Sequence, residues 1–154
     1  MKKQEVLKNI RTARRSHIMW VERAKALVNG LDVTPTEDKI PLEVTQCEFG
    51  QWFYGEGQIL LSLFTEEAIQ RVTDKHKELH NAYLKIFKLY FFTPKRSFLN
   101  KVFNKKPALS ERDSERIHIY LDDLEKISEE LISYLNIIER KLNSLSEERF
   151  QNFL

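Results

Sequence analysis

Residues 117–138, IHIYLDDLEKISEELISYLNII, carry the most regular hydrophobic pattern in the chain and decide its fold class. Large apolar side chains recur there at alternating intervals of four and three residues, with charged and polar side chains between them. On an α-helix this spacing places the apolar side chains on one face, as in the helices of a bundle. The members of that face are Ile117, Tyr120, Leu124, Ile127, Leu131, Tyr134 and Ile138. We therefore predict a long C-terminal helix over about residues 112–148.

Two further stretches share this periodicity. The first consists of Val6, Ile10, Ala13, His17, Trp20, Ala24, Leu27 and Leu31, and the second of Ile69, Val72, His76, His80, Tyr83, Phe87 and Tyr90. The first helix should end near Asn29 and Gly30, because glycine accepts the left-handed conformation that follows a helix. The second should begin after a capping threonine, Thr65, and end before Pro94.

A shorter helical segment is predicted between these two helices. It opens at Cys47, after a polar connector over residues 32–45, and closes at Gly55 and Gly57. Three long helices plus a short second helix that carries the cysteine predict an all-α fold, a four-helix bundle. We expect one domain over residues 1–154.

The composition supports a helical protein and excludes several classes. Only 4 glycines and 4 prolines occur in 154 residues, and the single cysteine excludes an intramolecular disulfide framework. The longest apolar run, residues 59–64, is too short to cross a bilayer. Charged side chains begin at Lys2, and no apolar region of a secretory signal follows them. We therefore expect a cytoplasmic protein without a transmembrane segment.

Charge is distributed unevenly, although the net charge is only +2. Segment 85–106 contains basic side chains and no acidic one, and it overlaps a predicted connector over residues 93–110. Its cations are Lys85, Lys88, Lys95, Arg96, Lys101, Lys105 and Lys106. This segment could dock on an anionic membrane surface, a nucleic acid or an acidic partner, or it could be a solvated loop that balances the acidic last helix. The chain as a whole is not basic, so we expect no nucleic-acid partner.

The histidines suggest a chemical role. His76 and His80 stand four residues apart, so on a helix both imidazoles project from one face. Both lie in an apolar face, as His17 does in the first helix, and buried imidazoles need partners. Hydrogen bonds to carbonyls or tyrosines would supply such partners, and so would a metal. At the start of a helix, Cys47 should have a lowered thiol pKa, and one thiolate with three imidazoles suits zinc. His118 falls beside the apolar face of its helix, where we expect it at the surface.

A family resemblance favours the metal. The ordered elements His17-x-x-Trp20, Cys47-x-Phe49-Gly50-x-Trp52 and His76-x-x-x-His80 resemble the chemoreceptor zinc-binding (CZB) domain, with a core over about residues 12–90. The resemblance implies one zinc per chain, held by His17, Cys47, His76 and His80. It implies redox sensing at Cys47, and it is compatible with site packing by Trp20, Phe49, Gly50 and Trp52. It also implies a homodimer that responds to zinc availability or to oxidants such as hypochlorous acid.

Two functions remain open at this stage. Family members are attached to chemoreceptor or diguanylate cyclase signalling regions, and no such region follows in this chain, so we expect a stand-alone sensor that signals to a partner of this kind. The alternative is a structural or adaptor bundle in which zinc only stabilises the fold and the basic connector binds a partner. Four protein ligands leave no open coordination position, and the acidic pairs Glu66–Glu67 and Asp122–Asp123 diverge on a helix. We therefore expect that the protein is not an enzyme.

Overall fold

The protein is built from α-helices, of which three are long. The computed structural model describes residues 2–31, 43–91 and 110–153, and within these ranges no strand occurs. The helices are α1 (Lys3–Val28), α2 (Glu48–Tyr54), α3 (Leu60–Leu63), α4 (Glu66–Phe91), α5 (Glu111–Ser144) and α6 (Glu147–Gln151), with a 3-10 helix at Glu56–Ile59. α5 packs along both α1 and α4. The prediction of an all-α helical bundle is confirmed.

The long helix α5 provides the central surface of the bundle. Its N-cap is Ser110, whose side-chain oxygen accepts a hydrogen bond from the Asp113 amide at 3.1 Å. Four members of the predicted apolar face are fully buried, namely Ile117, Leu124, Leu131 and Ile138, whereas Tyr120, Ile127 and Tyr134 are half-buried. The buried face also includes Leu121, Leu135 and Leu142. The face is wider than predicted because α5 contacts one helix on each side.

The first helix ends where the sequence indicates. Asn29 is the C-cap of α1, and Gly30 follows with a positive φ of 74°. The predicted face is buried at Val6, Ile10, Ala13, His17 and Ala24. Including Leu31 in this face was wrong, because Leu31 lies beyond the end of the helix and is 62% exposed. Connector residues 32–42 lie outside the described residues.

The segment between α1 and α4 is a chain of short helices. Cys47 is the N-cap of α2, and Gly55 follows the last residue of that helix. The 3-10 helix and α3 then lead to Thr65, whose hydroxyl oxygen accepts a hydrogen bond from the Ala68 amide at 3.3 Å and caps α4. The predicted short helix and the predicted capping threonine are both confirmed. Pro94 and the connector over residues 93–109 lie outside the described residues.

The C-terminal end of the chain differs from the single helix predicted over residues 112–148. α5 ends at Ser144, and a separate helix, α6, begins after Ser146, which accepts a hydrogen bond from the Arg149 amide at 3.1 Å. This break allows α6 to bury Phe150 completely. The Lys3 ammonium donates to the Leu145 carbonyl oxygen at 2.6 Å, so the start of α1 is held against the turn between α5 and α6.

Ion pairs join the long helices at their solvent-facing edges. Glu139 on α5 contacts Arg11 and Arg14 on α1. Lys75 on α4 contacts Glu130 on α5 at 2.9 Å. Exposed pairs of this kind contribute about 0–1 kcal/mol each, so the buried faces supply most of the stability. No helix in the described part of the chain is long and apolar enough to cross a membrane.

Candidate metal centre

Three helical elements bring four buried side chains to one point. His17 comes from the middle of α1, Cys47 from the N-cap of α2, and His76 and His80 from adjacent turns of α4. One nitrogen or sulfur atom of each residue lies within 4.8 Å of the corresponding atoms of the other three. Each side chain is at most 3% exposed. The residues that the sequence singled out as metal ligands therefore form one buried cluster.

The His17 ring is fixed in one orientation by the backbone of its own helix. Its Nδ1 donates a hydrogen bond to the Ala13 carbonyl oxygen at 2.7 Å. Burial lowers the pKa of His17 to about 4, although the bond to Ala13 opposes this change, so the ring is neutral at pH 7. With the proton on Nδ1, the lone pair is on Nε2, which is buried and has no hydrogen-bond partner among the described residues. Nε2 is thus a free donor atom for a cation.

His76 and His80 present their Nε2 atoms to each other. These two atoms are 3.1 Å apart, and the Nε2 atom of His76 is also 3.3 Å from the Sγ atom of Cys47. Burial and, to a smaller extent, the neighbouring His17 and His80 lower the pKa of His76 to about 2. These two imidazoles offer nitrogen donors, and no carboxylate among the described residues belongs to the cluster.

Cys47 has a structural role in addition to its place in the cluster. As the N-cap of α2, its Sγ atom accepts a hydrogen bond from the Gly50 amide at 3.1 Å. Burial raises the pKa of the thiol above its usual value, and hydrogen bonds from the Gly50 and Phe49 amides only partly oppose this. The expectation that the helix N-terminus lowers this pKa was wrong, because the loss of solvation outweighs the amide hydrogen bonds. A bound cation would favour the thiolate.

Gly50 is required by the close approach of two backbone segments. A Cβ atom at this position would lie 1.7 Å from the Val44 carbonyl oxygen and 3.3 Å from Cε1 of His76. No side chain fits there unless the backbone moves. The glycine therefore lets the turn before α2 pass directly over the helix beside the cluster.

Aromatic rings surround the imidazoles. Trp20 lies 5.0 Å from His17 and 5.1 Å from His80 between ring centroids, and Phe49 lies 4.9 Å from His76, all edge to face. Tyr54 lies stacked beside His76 at 6.3 Å. These rings limit the access of water to the cluster and lower the local dielectric constant.

Trp52, the remaining aromatic residue that we expected to pack at the site, lies one layer further out. It contacts Phe49, with ring centroids 6.1 Å apart. A Cβ atom on Gly57 would lie 3.3 Å from the Trp52 ring, so this glycine makes room for the indole. Trp52 therefore supports Phe49, which in turn contacts His17 and His76.

The donor set fits zinc. Thiolate sulfur and imidazole nitrogen are the donors that zinc takes in four-coordinate tetrahedral sites, in which neighbouring donors are separated by roughly 3.3–3.7 Å. The distances of 3.1 and 3.3 Å between the donors of His80, His76 and Cys47 are close to this range. A cluster without carboxylates disfavours magnesium and calcium, which prefer oxygen donors.

The other candidate groups lie away from the cluster. His118 is exposed on α5, as expected, and the acidic pairs Glu66–Glu67 and Asp122–Asp123 are exposed as well. Sequence reasoning missed the Ala13 carbonyl that orients His17 and the Val44 backbone that crosses Gly50. The first could have been found from its position four residues before the histidine. For the second, the glycine indicates a close backbone approach, but no feature of the sequence identifies Val44 as the residue that makes it.

Comparison with known proteins gave one match. Residues 17–87 match the family model of the chemoreceptor zinc-binding domain. No curated protein and no solved structure matches the chain. The matched range begins at His17, includes Cys47, His76 and His80, and ends before the last residue of α4.

Proposed function

We propose that this protein, whose residues 17–87 match the family model of the chemoreceptor zinc-binding domain, is a cytoplasmic zinc-responsive regulatory domain. Its proposed zinc ligands are His17, Cys47, His76 and His80. The observation that carries the proposal is the buried cluster of one thiol and three imidazoles, whose donor atoms all lie within 4.8 Å of one another. One zinc ion per chain, when bound, neutralises the thiolate and ties α1, α2 and α4 together.

The signal would arise at α2. Cys47 is both a cluster member and the N-cap of α2, so any change at its Sγ atom also affects the first turn of that helix. When the metal is removed, or when an oxidant such as hypochlorous acid converts the thiolate to a sulfenic acid, Cys47 is no longer held as a ligand beside His76. α2 is then free to repack against α1. A homodimer partner or a signalling protein, such as a chemoreceptor or a diguanylate cyclase, would bind the altered surface.

A structural role for zinc is the alternative. The burial of all four donors favours it, because a closed four-coordinate site often contributes only folding energy. In that case, the basic connector would bind a partner regardless of the zinc content of the protein. The two functions differ in whether zinc leaves the folded protein or leaves only when the protein unfolds.

The first experiment is to measure zinc in the purified protein and then titrate it with hypochlorous acid while following zinc release, free thiol and helicity. A sensor should release about one zinc per chain with loss of the thiol while the helical signal persists. Release only together with unfolding would support the structural role.

Two histidine variants serve as a matched pair for the site. His80→Gln should abolish stoichiometric zinc binding, and His118→Gln should retain it, because His118 is exposed on another helix. A His80→Gln protein that still binds one tight zinc would contradict the ligand set.

A further inference from the structure

A cleft of about 550 Å³ opens between α1 and the start of α2, next to the metal-binding cluster. His17 and Cys47 line this cleft, whereas His76 and His80 are not among the described residues that line it. Around these two donors the cleft is bordered by residues of both elements, including Thr12, Ser16 and Met19 from α1. His17 and Cys47 are therefore the two donors next to the cleft, although all four donor side chains are at most 3% exposed.

Aromatic rings lie against the other two donors, His76 and His80. Phe49 and Tyr54 lie against His76, and Trp20 lies against His80. Phe49 and Trp20 also line the cleft, so a small molecule there meets His17 and Cys47 first and reaches His76 or His80 only past these rings, whose displacement costs packing energy. On the cleft side it meets Met19, which is 63% exposed and unbranched, and then the edges of His17 and Cys47. The volume of the cleft is in the range of small-molecule sites.

Building on the proposed zinc site, we propose that this cleft is the site where small polydentate chelators with nitrogen and oxygen donors bind during metal exchange, and that His17 and Cys47 are the first ligands to be replaced. In this exchange a donor atom of the chelator forms a bond to the metal as the bond from the Cys47 Sγ atom breaks. The thiolate keeps its electron pair and takes up a proton from water in the cleft, so nothing is oxidised or reduced. His76 and His80 hold the metal until the chelator has replaced the other two ligands.

The test is the rate of zinc transfer from the loaded full-length chain to excess pyridylazoresorcinol, followed by absorbance. Thr12→Trp places a large ring in the cleft from an exposed position of α1. Asn81→Trp is the matched control, because Asn81 is exposed beside His80 and is not among the residues lining the cleft. We expect Thr12→Trp to slow transfer several-fold with an unchanged equilibrium zinc affinity, and Asn81→Trp to leave both unchanged.

A second variant tests the opposite direction. Met19→Ala removes most of an exposed side chain that borders the cleft, so transfer should become faster at the same affinity. The proposal is overturned if Thr12→Trp has the wild-type rate, or if both tryptophan variants slow transfer equally. In those cases zinc would leave only after the whole of α2 moves away from the cluster, and not through the cleft. A wild-type chain that binds no zinc would overturn the proposed function as well, whereas unchanged rates in a zinc-loaded protein would overturn this inference alone.

Discussion

A Cβ atom on Gly50 would lie 1.7 Å from the carbonyl oxygen of Val44. The backbone before α2 thus crosses this helix at Gly50, and only glycine leaves room for it there. The Gly50 amide also donates to the Cys47 Sγ atom at 3.1 Å, and the same Cβ would be 3.3 Å from the His76 ring. The position of Cys47 beside His76 therefore depends on the absence of a Cβ atom at Gly50.

Replacing Gly50 with alanine should displace α2 and weaken zinc binding. The clash is with backbone, so it cannot be relieved by a rotamer change, and overpacking of this kind costs about 1–3 kcal/mol. We expect a lower free energy of unfolding in urea and a clearly weaker zinc affinity in a chelator competition assay. Gly30→Ala is the control, because Gly30 has a φ of 74° but no neighbour within 4 Å. The Gly30→Ala variant should lose stability through backbone strain and keep the wild-type zinc affinity. Equal zinc affinities in the two variants would refute the role of Gly50 in positioning Cys47.

Two substitutions of Cys47 should separate its roles as ligand and helix cap. Serine keeps a side-chain acceptor for the Gly50 amide, whereas alanine has none. Both variants should lose tight zinc binding. Without zinc, Cys47→Ser should be more stable than Cys47→Ala by about 1 kcal/mol, the usual contribution of an N-cap. Thermal unfolding in the presence of a chelator measures this difference, and identical midpoints for the two variants would show that the cap contributes nothing.

Hydrophobic periodicity predicted the long helices and, in α1 and α4, the buried face that carries His17, His76 and His80. It works there because a helix with one buried face must repeat its apolar residues with the helical period. It failed at Leu31, where the pattern continued past a helix end marked by Gly30. It also failed near Leu145, where the Ser146 cap that starts α6 lies within an apparently continuous helix.

Features that depend on the packing of separate segments could not be predicted. Leu121 and Leu135 are buried because α5 lies between two helices, and no single-face pattern includes them. The pKa of Cys47 depends on how deeply the thiol is buried, and the helix start alone suggested the opposite direction. The cleft beside His17 exists because of the distance between α1 and α2, which no residue type encodes.

The zinc-free protein should lose stability as the pH falls from neutral. Burial lowers the pKa of His17 to about 4 and that of His76 to about 2 from an ordinary value of 6.5. Below pH 6.5 the unfolded chain takes up protons that the folded chain does not, so this stability is present above 6.5 and decreases as the pH falls below it. His17 alone should account for roughly 3 kcal/mol by pH 4.

Urea unfolding in the presence of a chelator, repeated at several pH values, tests this dependence. His17→Leu should show a shallower slope of stability against pH than the wild type. His118→Leu, a change of an exposed histidine, should keep the wild-type slope. A wild-type slope in His17→Leu would mean that His17 is not buried in its neutral form.

Glu139 should stabilise the contact between α1 and α5 in a pH-dependent way. Its carboxylate is 14% exposed and accepts hydrogen bonds from Arg11 at 2.6 Å and Arg14 at 2.5 Å, and the bond from Arg11 contributes most to lowering its pKa. A lowered pKa means that this stability is present above the ordinary value of 4.5 and is lost as the pH falls through the lowered pKa.

Glu139→Gln should therefore cost about 1 kcal/mol at neutral pH, and the difference from wild type should shrink in acid. Comparing the two proteins at each pH cancels the contribution of the histidines, which both share. Glu67→Gln is the control, because Glu67 is 75% exposed and pairs with Arg71 within one helix, so its loss should change stability little. A difference in unfolding free energy between wild type and Glu139→Gln that persists in acid would contradict the prediction. Protonation removes the charge of Glu139 in the wild type, so such a difference would come from side-chain packing and not from the ion pair.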